Sequence, residues 1–241
     1  MSALFLINPH SAKIKKIGFQ SIENLIYRIY LNAGKSVEVR KIEFDKLKEW
    51  ISNAKSENIQ YIFAVGGDGT ANSIGTMLIH SDLCFGIIPM GSGNGFARTI
   101  GFSTNLRLAI KQSLNPQKML VDTGVFGAHK FLNVAGVGAD TEVISLFRHS
   151  KLRGILSYIY YATKVFFTYP AQDYEIFAND THIPNENSWA VTVMNGTQWG
   201  YDAKISPESS LTDGYLELII IKKIPITRIF QEIFKLYNGT M

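Results

Sequence analysis

The chain has 241 residues, of which 46% are hydrophobic and 18% are charged, and its formal net charge is +4. This balance excludes intrinsic disorder and a coiled coil, and the length suits one large domain or two compact domains. The small positive charge favours anionic ligands or surfaces and is too weak to indicate a nucleic-acid partner. No apolar run approaches the ~18 residues of a membrane span, and the N-terminus lacks the basic region of a signal peptide. We therefore expect a cytoplasmic protein.

The first half of the chain alternates predicted strands and helices. Short apolar runs followed by turn residues are typical of strands that are buried on both faces, and apolar residues at helical spacing separate them. This rhythm predicts a mainly parallel sheet with helices on both faces. The predicted strands are 4–7, 37–39, 61–65 and 85–88, and the predicted helices lie within 22–29, 47–54 and 74–78.

The pattern changes after about Asp122, where strand-like segments separated by turn signals predominate. The aromatic-rich segment 156–169 has one charged residue, Lys164, and predicts a helix with an unusually apolar surface. We predict two domains, residues 1–122 and residues 123–241, the second rich in β-structure. Its predicted strands are centred on 126, 131–134, 174–177, 190–193 and 215–219.

A glycine-rich segment, Gly66-Gly67-Asp68-Gly69-Thr70, directly follows the predicted strand 61–65. In an open α/β sheet, ligands bind beyond the carboxyl ends of the strands. Glycines let the backbone approach a phosphate and present its N–H groups. Asp68 would repel a phosphate, so its expected role is to orient a metal ion or a ribose hydroxyl, or to take a proton. The alternative is a helix-entry turn that Asp68 caps.

A second glycine-rich segment, Pro89 to Arg98, follows the next predicted strand. It supplies backbone donors, the side chains of Ser92 and Asn94, and the charge of Arg98. Two such loops at adjacent strand ends predict a cleft lined with hydrogen-bond donors. Neither loop has the Gly-Lys-Ser/Thr of a Walker A loop or a Rossmann fingerprint.

Together the two loops resemble the diacylglycerol kinase catalytic-domain family, which also contains sphingosine and ceramide kinases and bacterial lipid kinases. Asn8-Pro9-His10-Ser11 is similar to the N-terminal loop of that family, although Ala12 stands where glycine is usual. Val121 to Gly124 resembles the step into its lipid-binding domain. The resemblance implies an NAD kinase/phosphofructokinase-like α/β domain followed by a β-rich, sandwich-like domain. It implies nucleotide contacts from Asn8, Gly66, Gly67, Asp68, Gly69, Thr70, Asn72, Gly91, Ser92, Gly93 and Asn94.

The same resemblance implies an ATP-dependent lipid kinase that uses Mg²⁺ and transfers the γ-phosphoryl group to a hydroxyl of a diacylglycerol-like or sphingoid lipid. It places a metal site at the Asp213 carboxylate and the backbone carbonyls of Ser210 and Tyr215, which are suitable hard oxygen ligands. Without the resemblance, Asp213-Gly214 would be interpreted as a hairpin turn. Asp68 is the first catalytic candidate, and Asp122 is the second, with a structural role nearly as well supported.

Two features depart from the family pattern. Gly95 occupies the position where diacylglycerol-specific members usually carry aspartate, so we expect an enzyme that is not a strict diacylglycerol kinase. The Asp-Gly-Glu motif that supplies the usual catalytic base in the family does not occur in the chain. Either the second domain is incomplete at its C-terminus, or the protein lacks the ordinary base.

Several alternatives remain open from the sequence. An NAD kinase-like enzyme shares Gly-Gly-Asp-Gly-Thr, and a nucleotide- or lipid-binding protein without turnover would explain the absent motif. His149, Lys151 and Arg153 form either a solvated basic face or a peripheral contact with anionic membrane headgroups. The acceptor lipid, a homodimer and the physiological role are not decided by the sequence.

Overall fold

The computed structural model describes residues 2–150, 155–178 and 180–240. The first half contains four strands and six helices, with a short 3₁₀ turn at Thr76–Leu78. In chain order the elements are β1 (Ser2–Ile7), α1 (Ala12–Ile17), α2 (Phe19–Asn32), β2 (Ser36–Lys41), α3 (Leu47–Asn53), β3 (Tyr61–Gly66), α4 (Asp68–Gly75), β4 (Cys84–Pro89), α5 (Gly95–Thr99) and α6 (Leu106–Gln112).

The four strands form a parallel sheet in the order β2-β1-β3-β4. Alternate side chains of β1 point to opposite faces, so Phe5 packs with Ile26 of α2, whereas Leu4 packs with Leu47 and Ile74 from helices on the other face. The predicted parallel sheet with helices on both faces is therefore confirmed. From β1 the chain continues to β2 on one side of β1, and it then crosses to β3 on the other side. This reversal creates a topological switch point between β1 and β3.

The second half contains a three-stranded antiparallel sheet in the order β11-β10-β7 and two hairpins, β5-β6 and β8-β9. A 3₁₀ turn spans Ile226–Arg228. The elements are β5 (Gly124–Phe126), β6 (His129–Phe131), β7 (Val134–Gly138), α7 (Ala139–His149), α8 (Ile155–Thr168), β8 (Ile176–Ala178), β9 (Thr181–Ile183), β10 (Ser188–Met194), β11 (Glu217–Lys222) and α9 (Ile229–Asn238).

The predicted helix at 156–169 is confirmed as α8, but the single strand predicted at 131–134 is wrong. The chain leaves β6 after Phe131 and begins β7 at Val134 because the two residues between them have other partners. The N–H of Leu132 donates to Asn72 Oδ1 at 3.1 Å, and the Asn133 carbonyl accepts from the amides of Asn195 and Gly196. Among the described helices, none is long and apolar enough to cross a membrane.

Candidate functional site

A cavity of about 590 Å³ opens at the carboxyl ends of β1, β3 and β4, beside the switch point. Its size is within the ~300–1,000 Å³ that is typical of small-molecule sites. Six of the residues predicted to contact a nucleotide line it, namely Asn8, Gly67, Gly69, Thr70, Gly91 and Ser92. The structure thus brings the N-terminal loop and both glycine-rich loops to one cavity.

The two glycine-rich loops touch at Gly67 and Gly91. A Cβ added to Gly91 would lie 2.4 Å from the Cα of Gly67, so any side chain at this position would force the loops apart. Asn94 holds the second loop closed, because its Oδ1 accepts from the Gly91 amide at 2.8 Å and its Nδ2 donates to the Gly91 carbonyl at 3.0 Å. Asn94 has φ of 54° and is buried, so its side chain shapes the loop from inside.

The first loop is tied to the N-terminal loop by Asn8 and Thr70. Asn8 Nδ2 donates to Thr70 Oγ1 at 2.8 Å, and Asn8 Oδ1 accepts from the His10 amide at 3.0 Å. Gly66 leaves the space that Thr70 fills, since a Cβ there would lie 2.5 Å from Thr70 Oγ1. Asn8 and Thr70 therefore fix the geometry of the loops, and both carboxamide ends of Asn8 are already engaged.

Asp68 joins the start of α4 to the start of α5. The N-cap of α4 is Gly67, so the alternative in which Asp68 caps this helix is wrong. Its Oδ1 accepts from the Phe96 amide at 3.1 Å, and its Oδ2 lies close to Gly93 of the second loop. Burial raises the pKa of Asp68, and backbone N–H groups of Phe96, Asn94 and Gly95 counteract part of that rise. A partly buried carboxyl with a raised pKa, beside two phosphate-type loops, is suited to accept a proton or hold a cation.

A segment of the second domain, residues 198–203, packs directly on the second loop. The Tyr201 amide donates to the Gly93 carbonyl at 3.1 Å, and the Arg98 guanidinium donates to Asp202 Oδ2 at 2.8 Å. Tyr201 and Asp202 have φ of 53° and 65°, an unfavourable conformation for residues other than glycine. Arg98, expected from the sequence to face a ligand, is instead half of an ion pair between the domains. The sequence does not indicate this pairing.

Gly95 is buried at the centre of this contact. A Cβ at this position would lie 2.8 Å from the carbonyl oxygen of Trp199 and 2.9 Å from that of Gln198. Both neighbours are backbone atoms, which cannot move aside as a flexible side chain does. A side chain at Gly95 would therefore clash with the backbone of the second domain in this protein.

Asn72 lies one helical turn after the first loop and faces the second domain. Its Oδ1 accepts from the Leu132 amide at 3.1 Å, and its Nδ2 donates to the Lys130 carbonyl at 3.3 Å. These bonds link α4 to the connection between β6 and β7. The nucleotide contact expected of Asn72 stays a prediction.

The second catalytic candidate, Asp122, lies against the segment that was expected to bind Mg²⁺. Asp122 Oδ2 accepts from the Gly214 amide at 2.7 Å, and its own amide donates to the Leu211 carbonyl at 2.6 Å. Asp213 Oδ1 accepts from the Tyr215 amide at 3.0 Å, which closes the turn, and Gly214 has φ of 80°. Asp122 therefore has a clear structural contact, and its catalytic role stays a prediction.

The expected metal ligands at Ser210, Asp213 and Tyr215 are all oxygen atoms, which Mg²⁺ prefers. Asp213 supplies one carboxylate, so most of the coordination shell there would be carbonyl oxygen and water. Within the described part of the chain, no group of three or more His, Cys, Asp or Glu side chains is placed to hold a metal ion.

Two family models match the chain in sequence. A model described as the diacylglycerol kinase catalytic domain matches residues 2–126, and one described as the YegS C-terminal NAD kinase beta sandwich-like domain matches residues 133–241. The predicted fold class, an α/β domain with a parallel sheet followed by a β-sandwich-like domain, is confirmed. The predicted boundary at residue 122 stays a prediction.

Curated relatives are similar over about two thirds of this chain. The diacylglycerol kinase of Staphylococcus saprophyticus is 32% identical over 172 residues, which are 69% of this chain and 56% of that protein. The Klebsiella pneumoniae protein named "Probable lipid kinase YegS-like" is 29% identical over 177 residues, 71% of this chain and 59% of that protein. These matches cover little more than half the length of the relatives.

Solved structures show the same fold. The crystal structure of a diacylglycerol kinase from Bacillus anthracis superposes with a TM-score of 0.66 at 24% identity, over 100% of this chain and 78% of that chain.

Proposed function

Since the chain belongs to the diacylglycerol kinase catalytic-domain family, we propose that it transfers the γ-phosphoryl group of ATP to a hydroxyl of a diacylglycerol-like or sphingoid lipid. The observation that carries this proposal is the meeting of both glycine-rich loops around Asp68 at the switch point of the parallel sheet. Kinase names among the relatives support the reaction class.

The proposed chemistry depends on positioning and charge stabilisation, which is what phosphoryl transfer chiefly requires. Backbone N–H groups around Gly67, Gly69 and Gly91, with the N-terminus of α4, would hold the phosphates in the cavity. Mg²⁺ would offset the phosphate charge. Asp68 would take the proton of the acceptor hydroxyl or orient the cation, and a pKa raised by burial makes its carboxylate a better proton acceptor than an exposed one.

Nucleotide contacts are proposed for all the positions expected from the sequence, with different roles. Six of these positions line the cavity, namely Asn8, Gly67, Gly69, Thr70, Gly91 and Ser92. The geometry of the loops is set by Gly66, Gly93 and Asn94, together with the bond between Asn8 and Thr70. The Mg²⁺ site at Ser210, Asp213 and Tyr215 belongs to the same proposal.

The acceptor lipid is proposed only as a class. Gly95 is explained by its close contact with Trp199 and Gln198, so its lack of a carboxylate does not by itself select between diacylglycerol and sphingoid acceptors. The expectation of an enzyme that is not strictly specific for diacylglycerol therefore stays a prediction, which the acceptor panel below tests.

Peripheral contact with a membrane is proposed through one face of α8. Leu156 is 80% exposed and Phe167 is 63% exposed, and Ile159 and Tyr160 lie between them on the same face. The helix carries Lys164 and no acidic residue, which favours an anionic lipid surface.

His149 is exposed nearby in sequence, whereas Lys151 and Arg153 lie outside the described residues. The test is sedimentation of the protein with anionic vesicles. The contact is supported if Phe167→Ser sediments with the vesicles less than wild type does, while the control variant Phe177→Ser, on the β8-β9 hairpin, sediments as wild type does.

The experiment that tests the proposed function is an acceptor panel with γ-labelled ATP and Mg²⁺. Diacylglycerol, monoacylglycerol, sphingosine and ceramide are compared with NAD, because the second family model is NAD kinase-like. We expect label in at least one lipid, and we expect Asp68→Asn to lower the rate by about 10²–10⁴-fold. Label in NAD alone would favour the NAD kinase-like alternative. ATP binding without any labelled product would favour a binding protein without turnover.

A further inference from the structure

One aromatic side chain, Phe44, lines the nucleotide cavity together with Gly67, Gly69 and Gly91. Phe44 lies in the turn between β2 and α3, and half of its surface is exposed. Its neighbours Ile42 and Leu47 are buried in the core. The ring is therefore displayed at the cavity wall, where an apolar side chain gains little unless something covers it.

The turn that carries Phe44 is anchored on both sides. The Ile42 amide donates to the Ile7 carbonyl of β1 at 2.8 Å, and the Lys46 amide donates to the Glu43 carbonyl at 3.0 Å. An ion pair at 2.7 Å joins the side chains of Lys46 and Glu43. A ligand that contacts the ring would pay little of the entropy cost of ordering a flexible loop.

The lining of the cavity differs in chemistry between Phe44 and the glycine-rich loops. The aromatic ring of Phe44 has no N–H group and no positive charge to hold phosphate oxygens. The glycine-rich loops offer backbone N–H groups and the start of α4, which attract them. A nucleotide in this cavity therefore places its phosphates at the loops and its uncharged base toward Phe44.

We infer that Phe44 is the platform on which the nucleotide base stacks, an inference that rests on the proposed function. The Asn8 carboxamide donates to Thr70 and accepts from the His10 amide, so these two bonds fix its orientation in the cavity wall. Stacking uses the face of the ring, which every base offers, and it tolerates changes of base. The site then takes nucleoside triphosphates with little dependence on the base, so ATP and GTP bind within a few-fold of each other.

The test compares Phe44→Ala with wild type by calorimetric titration of ATP, GTP and tripolyphosphate in the presence of Mg²⁺. Stacking on an aromatic ring contributes about 5- to 150-fold per base, and the half-exposed position of Phe44 suggests the lower part of this range. We expect the Kd for ATP and for GTP to rise about five- to tenfold, and the Kd for tripolyphosphate to stay unchanged. Phe44→Trp should retain tight binding, and Phe177→Ala is a matched control, since Phe177 is an exposed aromatic of the second domain.

The outcomes separate this inference from the proposed function. If wild type binds ATP better than tripolyphosphate and Phe44→Ala binds ATP equally well, the base lies elsewhere and only the stacking inference fails. Equal weakening for tripolyphosphate would show that Phe44 maintains the loop structure, which also overturns the inference. A wild-type chain that binds none of the three ligands would overturn the inference and the nucleotide site together.

Discussion

The contact between the domains at Gly95 yields a quantitative prediction. Gly95→Ala adds a Cβ 2.8 Å and 2.9 Å from the carbonyl oxygens of Trp199 and Gln198, closer than the 3.0 Å that real Cβ atoms keep. Relief requires the backbone of this segment to move away from the second loop. Overpacking of this kind costs about 1–3 kcal/mol. For a chain of this length, the loss corresponds to a decrease in Tm of about 2–12 °C.

Gly95→Asp should decrease Tm further, because it also places a carboxylate at a buried position. The matched control is Gly69→Ala, because Gly69 is in α4 and a Cβ there has no atom within 4 Å. This control should leave Tm unchanged or raise it by about 1–4 °C, since alanine is the better helix former. The assay is thermal unfolding of the three variants followed by circular dichroism. A Gly95→Ala protein that melts at or above the wild-type Tm would refute the steric explanation of Gly95.

Three further variants test the electrostatics of the site. Burial raises the pKa of Asp68, so the carboxyl group keeps its proton to a higher pH in the folded protein than in the unfolded chain, and the folded protein loses stability as pH rises. The Asp68→Asn variant should therefore have a higher Tm than wild type near pH 8. The difference in Tm should shrink toward pH 4. Asp202→Asn removes the half-exposed ion pair with Arg98; urea unfolding should show a loss below about 1 kcal/mol that fades in 1 M salt. Asp122→Asn weakens the hydrogen bond that Asp122 accepts from the Gly214 amide, so Tm should fall while the affinity for ATP stays unchanged. If the variant instead keeps the wild-type Tm and loses turnover, Asp122 has a catalytic role.

The parallel sheet could be predicted because its central strands are continuous apolar runs that end in turn residues. Leu4 to Ile7 and Ile62 to Val65 are buried on both faces, which leaves an unambiguous signal in the sequence. The helices α1, α5 and α6 of the first half were missed because each has seven residues or fewer, too short to show an apolar repeat. The helices α7 and α9 of the second half were missed as well, although they have 11 and 10 residues.

The parts of the site that are formed by short continuous segments of the chain could be predicted from the sequence. Glycines at two strand ends indicate phosphate-type loops, and the structure brings them to one cavity. Contacts between residues distant in the chain have no such signal. The pair Arg98–Asp202 spans 104 positions, and the bond from Leu132 to Asn72 spans 60. The left-handed conformations of Tyr201 and Asp202 likewise depend on how the second domain packs against the first.

The most direct test of the account is whether the chain binds ATP at the two glycine-rich loops. Calorimetric titration with ATP and Mg²⁺ should give saturable binding of one nucleotide per chain, with a Kd no weaker than about 1 mM, the upper end of ordinary substrate affinities. A bulky substitution of one cavity-lining glycine, Gly69→Val, should abolish this binding. A flat titration of the wild-type chain at millimolar ATP would contradict the central claim.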